Sequence, residues 1–176
     1  AYNIWEKTYG KEHKDVALAC NNIGTMYNHQ GNYAKALEYH LKALNIWEKT
    51  LGSEHPYVAA SYNNIGYVYY SQGECEKAME YYNKALGILE KVFGTEHPDV
   101  ALSYNNIGCV YDYQEDYANA LEYYNKALDI RENALEKKHP DIAQSYNNIG
   151  GVYNSQGDYA KAMEYYNKAH DNIEKV

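Results

Sequence analysis

Ser61-Tyr62-Asn63-Asn64-Ile65-Gly66 returns almost letter for letter as Ser103 to Gly108 and Ser145 to Gly150, with a variant at Ala19 to Gly24. The equivalent residues Asn22, Asn64, Asn106 and Asn148 are spaced by 42 positions, so the chain is an array of one unit and its function has to come from the array. The units divide as 10–51, 52–93, 94–135 and 136–176. Residues 1–9 align with the end of a second helix, because Ala1 to Thr8 matches Ala43 to Thr50. On this reading the sequence is a fragment of a longer array, and nothing at its C-terminal end resembles a polar capping helix.

Composition narrows the classes of partner. A hydrophobic fraction of 45% in 176 residues is that of a folded chain. Twenty-three Tyr stand against one Phe and two Trp, so apolar bulk comes mostly from a ring whose hydroxyl wants water or a partner. A net charge of −8 repels phosphate backbones and anionic lipid, which argues against nucleic acid and membrane partners. Cys20, Cys75 and Cys109 form no CxxC pair and fall at different phases of the unit, so neither a disulfide framework nor a zinc site is indicated. A reducing, cytoplasmic location fits. No apolar run reaches the roughly 20 residues a membrane span needs, and no signal peptide is visible.

Each unit reads as two helices. Pro56, Pro98 and Pro140 suit the first helical position, where a missing N–H costs nothing, and Lys14 replaces Pro in the first unit. Asp99 and Asp141 follow where the macrodipole favours an anion. From Val100 the positions Ala101, Tyr104, Ile107, Gly108 and Tyr111 form a helical stripe that ends near Gln114. Gly31, Gly73 and Gly157 can close the first helix with positive φ, with Glu115 departing from the pattern, while Asn32, Asp116 and Asp158 can cap the second. The second helix carries Tyr117, Ala120, Leu121, Tyr124, Ala127 and Leu128 on one face. Glu38 with Lys42, Glu80 with Lys84, Glu122 with Lys126 and Glu164 with Lys168 form i, i+4 pairs on the opposite side. Gly24, Gly66, Gly108 and Gly150 lie on the packed stripe despite poor helix propensity, so close helix approach has to outweigh that cost.

Tyr62-x2-Ile65-Gly66-x2-Tyr69, then Gly73, Ala78-x3-Tyr82 and Ala85, resembles the tetratricopeptide repeat, with Tyr where that family often has Trp. The unit is longer than the family's usual length of about 34 residues. With the linker Glu90-Lys91-Val92-Phe93-Gly94-Thr95-Glu96-His97-Pro98-Asp99-Val100-Ala101, it is similar to the repeats of the kinesin light chain type. The resemblance implies an all-α, right-handed superhelical solenoid of antiparallel helix pairs whose hollow is lined by the first helices. It places on the concave side Leu18, Ala60, Leu102 and Gln144; the pairs Asn21–Asn22, Asn63–Asn64, Asn105–Asn106 and Asn147–Asn148; and Thr25, Tyr67, Cys109 and Gly151. The last concave set is Asn28 with His29, Tyr70 with Ser71, Asp112 with Tyr113, and Asn154 with Ser155.

A carboxamide offers donor and acceptor together and so can pair with the backbone of an extended peptide without reading its sequence. In the resembling family the second Asn contacts bound peptide, which maps to Asn22, Asn64, Asn106 and Asn148. The same carboxamides could instead bond a neighbouring helix, and the sequence leaves both roles open, more so for Asn21, Asn63, Asn105 and Asn147. Four hydrogen bonds at ~0.5–1.5 kcal/mol each reach at most about 6 kcal/mol, short of the roughly 8 that a micromolar complex needs. Tyr67, Tyr70 and Tyr113 would supply the rest, with Asp112 beside them. The concave set carries no Lys or Arg, so a neutral or basic, aromatic-containing segment fits better than an acidic one.

His13, His55, His97 and His139 recur with the period, but equivalent positions in adjacent units are at least a helix-packing distance apart, roughly 8–10 Å, which is too far to share a metal. A loop or capping role is expected of them, and core packing of Trp5 and Trp47. No nucleophile–base order, phosphate loop or isolated carboxylate pair stands outside the repeat, so the reading is not an enzyme and involves neither cofactor nor metal. Two function classes follow. One is a protein-interaction scaffold binding an extended peptide in its groove, an adaptor like the kinesin light chain. The alternative is a self-assembly module whose exposed ends, at Ala1 to Tyr9 and along the last helix, stack or swap into oligomers.

Overall fold

The computed structural model describes residues 13–174; Trp5 and the end face placed at Ala1 to Tyr9 lie outside them. Among the described residues there are eight helices and no strand, arranged as consecutive antiparallel hairpins. The chain divides into two compact units, Ala1–Val92 and Phe93–Val176. The first holds α1 (Lys14–His29), α2 (Tyr33–Leu51), α3 (Pro56–Ser71) and α4 (Cys75–Phe93). The second holds α5 (Pro98–Tyr113), α6 (Tyr117–Ala134), α7 (Pro140–Ser155) and α8 (Tyr159–Glu174).

The leading helices begin where the His-Pro pairs predict, and the histidines are the caps. In His13, His55, His97 and His139 the ring Nδ1 accepts the backbone N–H two residues on, each at 3.2 Å. This satisfies one of the donors left open at a helix start, a task usually given to Ser, Thr, Asp or Asn. Among the described residues no group of three His, Cys, Asp or Glu could hold an ion.

Within each hairpin the chain reverses through one left-handed residue. Gly31, Gly73 and Gly157 have φ of 71°, 76° and 80°, and Glu115 takes the same place with φ 61°. The following N–H reaches back to the leading helix at 2.9 Å, as in Asn32 to Tyr27 and Asp116 to Tyr111, which closes the turn. Glu115 therefore accepts the conformation that Gly takes elsewhere, because the surrounding hydrogen bonds are the same. Asn32, Asp116 and Asp158 cap the second helices at 3.2–3.3 Å, as the sequence predicts.

Small residues set the helix spacing. Ala36, Ala43, Ala78, Ala85, Ala120 and Ala127 are fully buried on the second helices, and Gly66 and Gly108 lie directly over the rings of Tyr82 and Tyr124. A Cβ at Gly66 would stand 2.7 Å from Tyr82 Cε1, inside contact distance, so only glycine permits this approach. In the first unit Val16, Cys20, Leu44, Trp47, Val58 and Ile65 form a continuous core; Leu128, Ile142, Ile149 and Val152 do the same in the second.

Tyr82 and Tyr124 are buried, while three stacked tyrosine pairs sit at the rim of this core. Tyr69 with Tyr81, Tyr111 with Tyr123 and Tyr153 with Tyr165 stack at 5.5–5.6 Å. Lys84, Lys126 and Lys168 lie over the second ring of each pair at 4.6–4.9 Å while bonding Glu80, Glu122 and Glu164 at 2.6–2.7 Å. One ring face is dry and the other is covered by a solvated cation, which is the environment a residue with an apolar body and a polar tip requires.

Candidate interaction surface on the leading helices

In the first unit the surface is built by α1 and α3, and in the second by α5 and α7. In each unit one carboxamide hydrogen bond joins the two leading helices. Asn64 Nδ2 donates to Asn21 Oδ1 at 2.7 Å, and Asn148 Nδ2 donates to Asn105 Oδ1 at 2.9 Å. Asn63 and Asn105 are buried, Asn21 is half-buried, and Asn147 is exposed. Asn64, Asn106 and Asn148 are half-buried, and Asn22 is exposed.

Of the two roles the sequence leaves open, inter-helix bonding thus engages one carboxamide of each pair, Asn21, Asn64, Asn105 and Asn148. One N–H of Asn64 and one of Asn148 are committed to it, and that bond fixes how each carboxamide is turned. A carboxamide held this way is pre-organised, so a backbone bonding to it loses less freedom.

Around this ladder the side chains differ from hairpin to hairpin. Tyr67 is exposed and stacks with half-buried Tyr70 at 6.5 Å between centroids. In the second unit Tyr113 is exposed beside half-buried Asp112. Burial pushes the Asp112 carboxyl above the usual carboxylate range, a cost that an approaching cation would relieve. Cys109, three residues before it, has its thiol pushed up by burial, and Asn105 Nδ2 lies 3.8 Å from its sulfur. Leu18, Ala60, Leu102, Gln144, Thr25, His29, Asn154 and Ser155 are exposed, and Gly151 leaves open space where a side chain would project.

Two residues matter more than the sequence reading anticipates. His40 occupies the place of Tyr82 and Tyr124 beneath the packed glycine and donates from Nδ1 toward Asn21 Oδ1 at 3.2 Å. Burial holds its pKa at about 4. Arg131, the only arginine in the sequence, takes the place of Trp47 and is buried, donating from Nη1 to Ser145 Oγ at 2.7 Å and to the Asp141 carbonyl at 3.0 Å. Burial also lowers its pKa. A comparison of residues at equal phase was the available signal for both, since each breaks an otherwise apolar or tyrosine position.

No helix among the described residues is long and apolar enough to cross a membrane. Comparison with known proteins agrees with the repeat reading. The tetratricopeptide repeat model matches residues 15–91, 80–133 and 113–175. None of the curated proteins matches the sequence. Among solved structures the chain is similar to BtubC (BKLC) from P. vanneervenii, at 28% identity over 97% of this chain and 70% of that one, with a TM-score of 0.81. A kinesin-light-chain-like protein of Podosopora anserina with nearly identical TPR-like repeats is 24% identical over 97% of this chain and 81% of its own, with a TM-score of 0.71. The apo form of RapI is 22% identical over 97% of this chain and 61% of its own, with a TM-score of 0.80, a likeness of fold. With matches spanning nearly all the described helices, the chain belongs to the tetratricopeptide repeat family.

Proposed function

We propose that the chain is a non-catalytic scaffold that binds an extended protein segment along its leading helices, an adaptor role of the kinesin light chain kind in a reducing, cytoplasmic setting. The observation that carries the reading is a contrast that each unit shows on its own leading helices. The carboxamides repeat, with Asn64 bonded to Asn21 in the first unit and Asn148 to Asn105 in the second, while Tyr67 and Tyr70 in the one and Asp112 and Tyr113 in the other change from hairpin to hairpin. A repeated polar rail suits a backbone, and varied flanking pockets suit its side chains. Exposed tyrosine and a half-buried carboxylate favour a segment that is neutral to basic and contains aromatic residues.

The test is a panel of synthetic peptides varied in net charge and aromatic content, titrated by fluorescence anisotropy. Basic aromatic peptides are expected to bind best, Tyr67→Ala with Tyr113→Ala to weaken them at least tenfold, and Asp112→Asn to reduce the preference for basic over neutral peptides. Preference for acidic peptides, or indifference to the tyrosines, would refute the assignment. Asn64→Ala is a poorer probe because it also removes the bond to Asn21.

A further inference from the structure

Between α6 and α8, at the connection that leads into α7, the repeat changes its chemistry. In the first unit the equivalent residues are Glu48, Ser53, Val58, Tyr62 and Ile88. There Ile88 packs on the core with Tyr62, and Lys91 of α4 is ion-paired with Glu54 of the connection. The second unit keeps the frame, with Glu132 for Glu48, Ile142 for Val58 and Tyr146 for Tyr62. The Tyr146 hydroxyl donates to Glu132 as Tyr62 does to Glu48. Three positions depart from that frame. Asn172 stands where the other hairpins have Ile46, Ile88 and Ile130, Lys137 replaces Ser53, and Lys138 replaces Glu54.

These residues surround a cleft of about 310 Å³, lined by Glu132 of α6, Lys137 of the connection, Ile142 and Tyr146 of α7, and Asn172 of α8. Its volume is at the lower end of the ~300–1,000 Å³ of small-molecule clefts. Asn172 Nδ2 donates to the Lys137 carbonyl, which fixes how the carboxamide is turned. Its Oδ1 is buried and has no hydrogen-bond partner among the described residues. An open buried acceptor costs stability, so packing alone favours the isoleucine of the other hairpins at this position. The Tyr146 hydroxyl, pushed up to about 12 by burial and by its bond to Glu132, keeps its proton and leaves Glu132 the acceptor. The cleft therefore offers a carboxylate and an open amide oxygen to a cationic donor, a lysine ammonium to an anion, and Ile142 as an apolar wall.

We propose that this cleft binds a free α-amino acid. Its ammonium group donates to Asn172 Oδ1 and to Glu132, its carboxylate pairs with Lys137 in the field of Lys138, and its side chain rests on Ile142. A simple anion or a simple amine leaves one of these sets unanswered, and a small zwitterion answers both. None of these residues belongs to the proposed peptide surface, so the inference is independent of peptide binding.

Nuclear magnetic resonance of the isotope-labelled 176-residue chain tests it. Each of the common free L-amino acids is added to about 10 mM, with sodium acetate and ethylamine as single-charge probes, a range that reveals millimolar binding. One or more amino acids should saturably shift the Asn172 side-chain amide and the backbone signals of Lys137 and Tyr146. Acetate and ethylamine should bind about tenfold more weakly or not at all, the scale of one charged hydrogen bond. Asn172→Ile, the residue of the other hairpins, should abolish the response with an equal or higher melting temperature. Lys137→Ser, the residue at 53, should weaken it about tenfold. The absence of a saturable shift with any amino acid overturns the proposal, as does binding that survives Asn172→Ile. Acetate that binds as tightly as the amino acids overturns it too, and makes the lysines a site for anions only.

Discussion

His40 Nδ1 lies 3.2 Å from Asn21 Oδ1, the oxygen that also receives Asn64 Nδ2 at 2.7 Å. A ring on the second helix of one hairpin and a carboxamide on the leading helix of the next therefore share a single acceptor, and the protonation of one bears on the other. Burial depresses the imidazole pKa from 6.5 to about 4. Between those values the unfolded chain takes up the proton and the folded chain does not. Stability is fully present above 6.5 and falls as the pH drops toward 4, by on the order of 3 kcal/mol. Denaturant unfolding on either side of that window should show the loss, and His40→Tyr, which restores the tyrosine found at 82 and 124, should reduce it.

The helical glycines divide into two kinds. A Cβ at Gly66 or Gly108 would meet the ring of Tyr82 or Tyr124 at 2.7 Å, whereas one at Gly87 would meet nothing within 4 Å. Gly66→Ala should therefore destabilise by about 1–3 kcal/mol, and Gly66→Val by more. Gly87→Ala, in the exposed middle of α4, should stabilise by about 1 kcal/mol. Thermal melts of the variants decide it, and a destabilised Gly87→Ala would contradict the account.

Replacing a histidine cap tests whether the ring acts through its acceptor. His55→Ala removes the partner of the Tyr57 N–H and should cost about 1 kcal/mol, while His55→Asp, which supplies an oxygen at the same place, should recover most of it. Equal losses in the two variants would mean that the ring works instead through its contact with Tyr57, 5.2 Å away between centroids.

Arg131 sets the desolvation of a charge against two hydrogen bonds. Because Ser145 Oγ also bonds the Asp141 carbonyl, at 3.2 Å, removing the guanidinium leaves the hydroxyl satisfied. Arg131→Leu, the residue found at 89, should be neutral or stabilising. Arg131→Ala should lose about 2–4 kcal/mol through the cavity it opens. Urea unfolding of both variants separates charge from volume.

Much of this molecule is a local matter, and the sequence alone determined it. The 42-residue spacing, the His-Pro starts, the turn residues and the Asn or Asp caps depend on hydrogen bonds a few residues apart, so they could be placed from the residues themselves, down to Asn32, Asp116 and Asp158. Glu115 shows the limit even there, since its positive φ is imposed by the turn and not by its own preference. What only the tertiary structure decided is the use of side chains that meet across helices. Asn21 and Asn64 look alike in the sequence, but one is an acceptor shared with His40 and the other a donor, because partners 43 and 19 residues apart converge on one oxygen. Met26 and Val68 likewise share a phase, yet one is open and the other closed, since burial depends on what lies alongside and not on the residue.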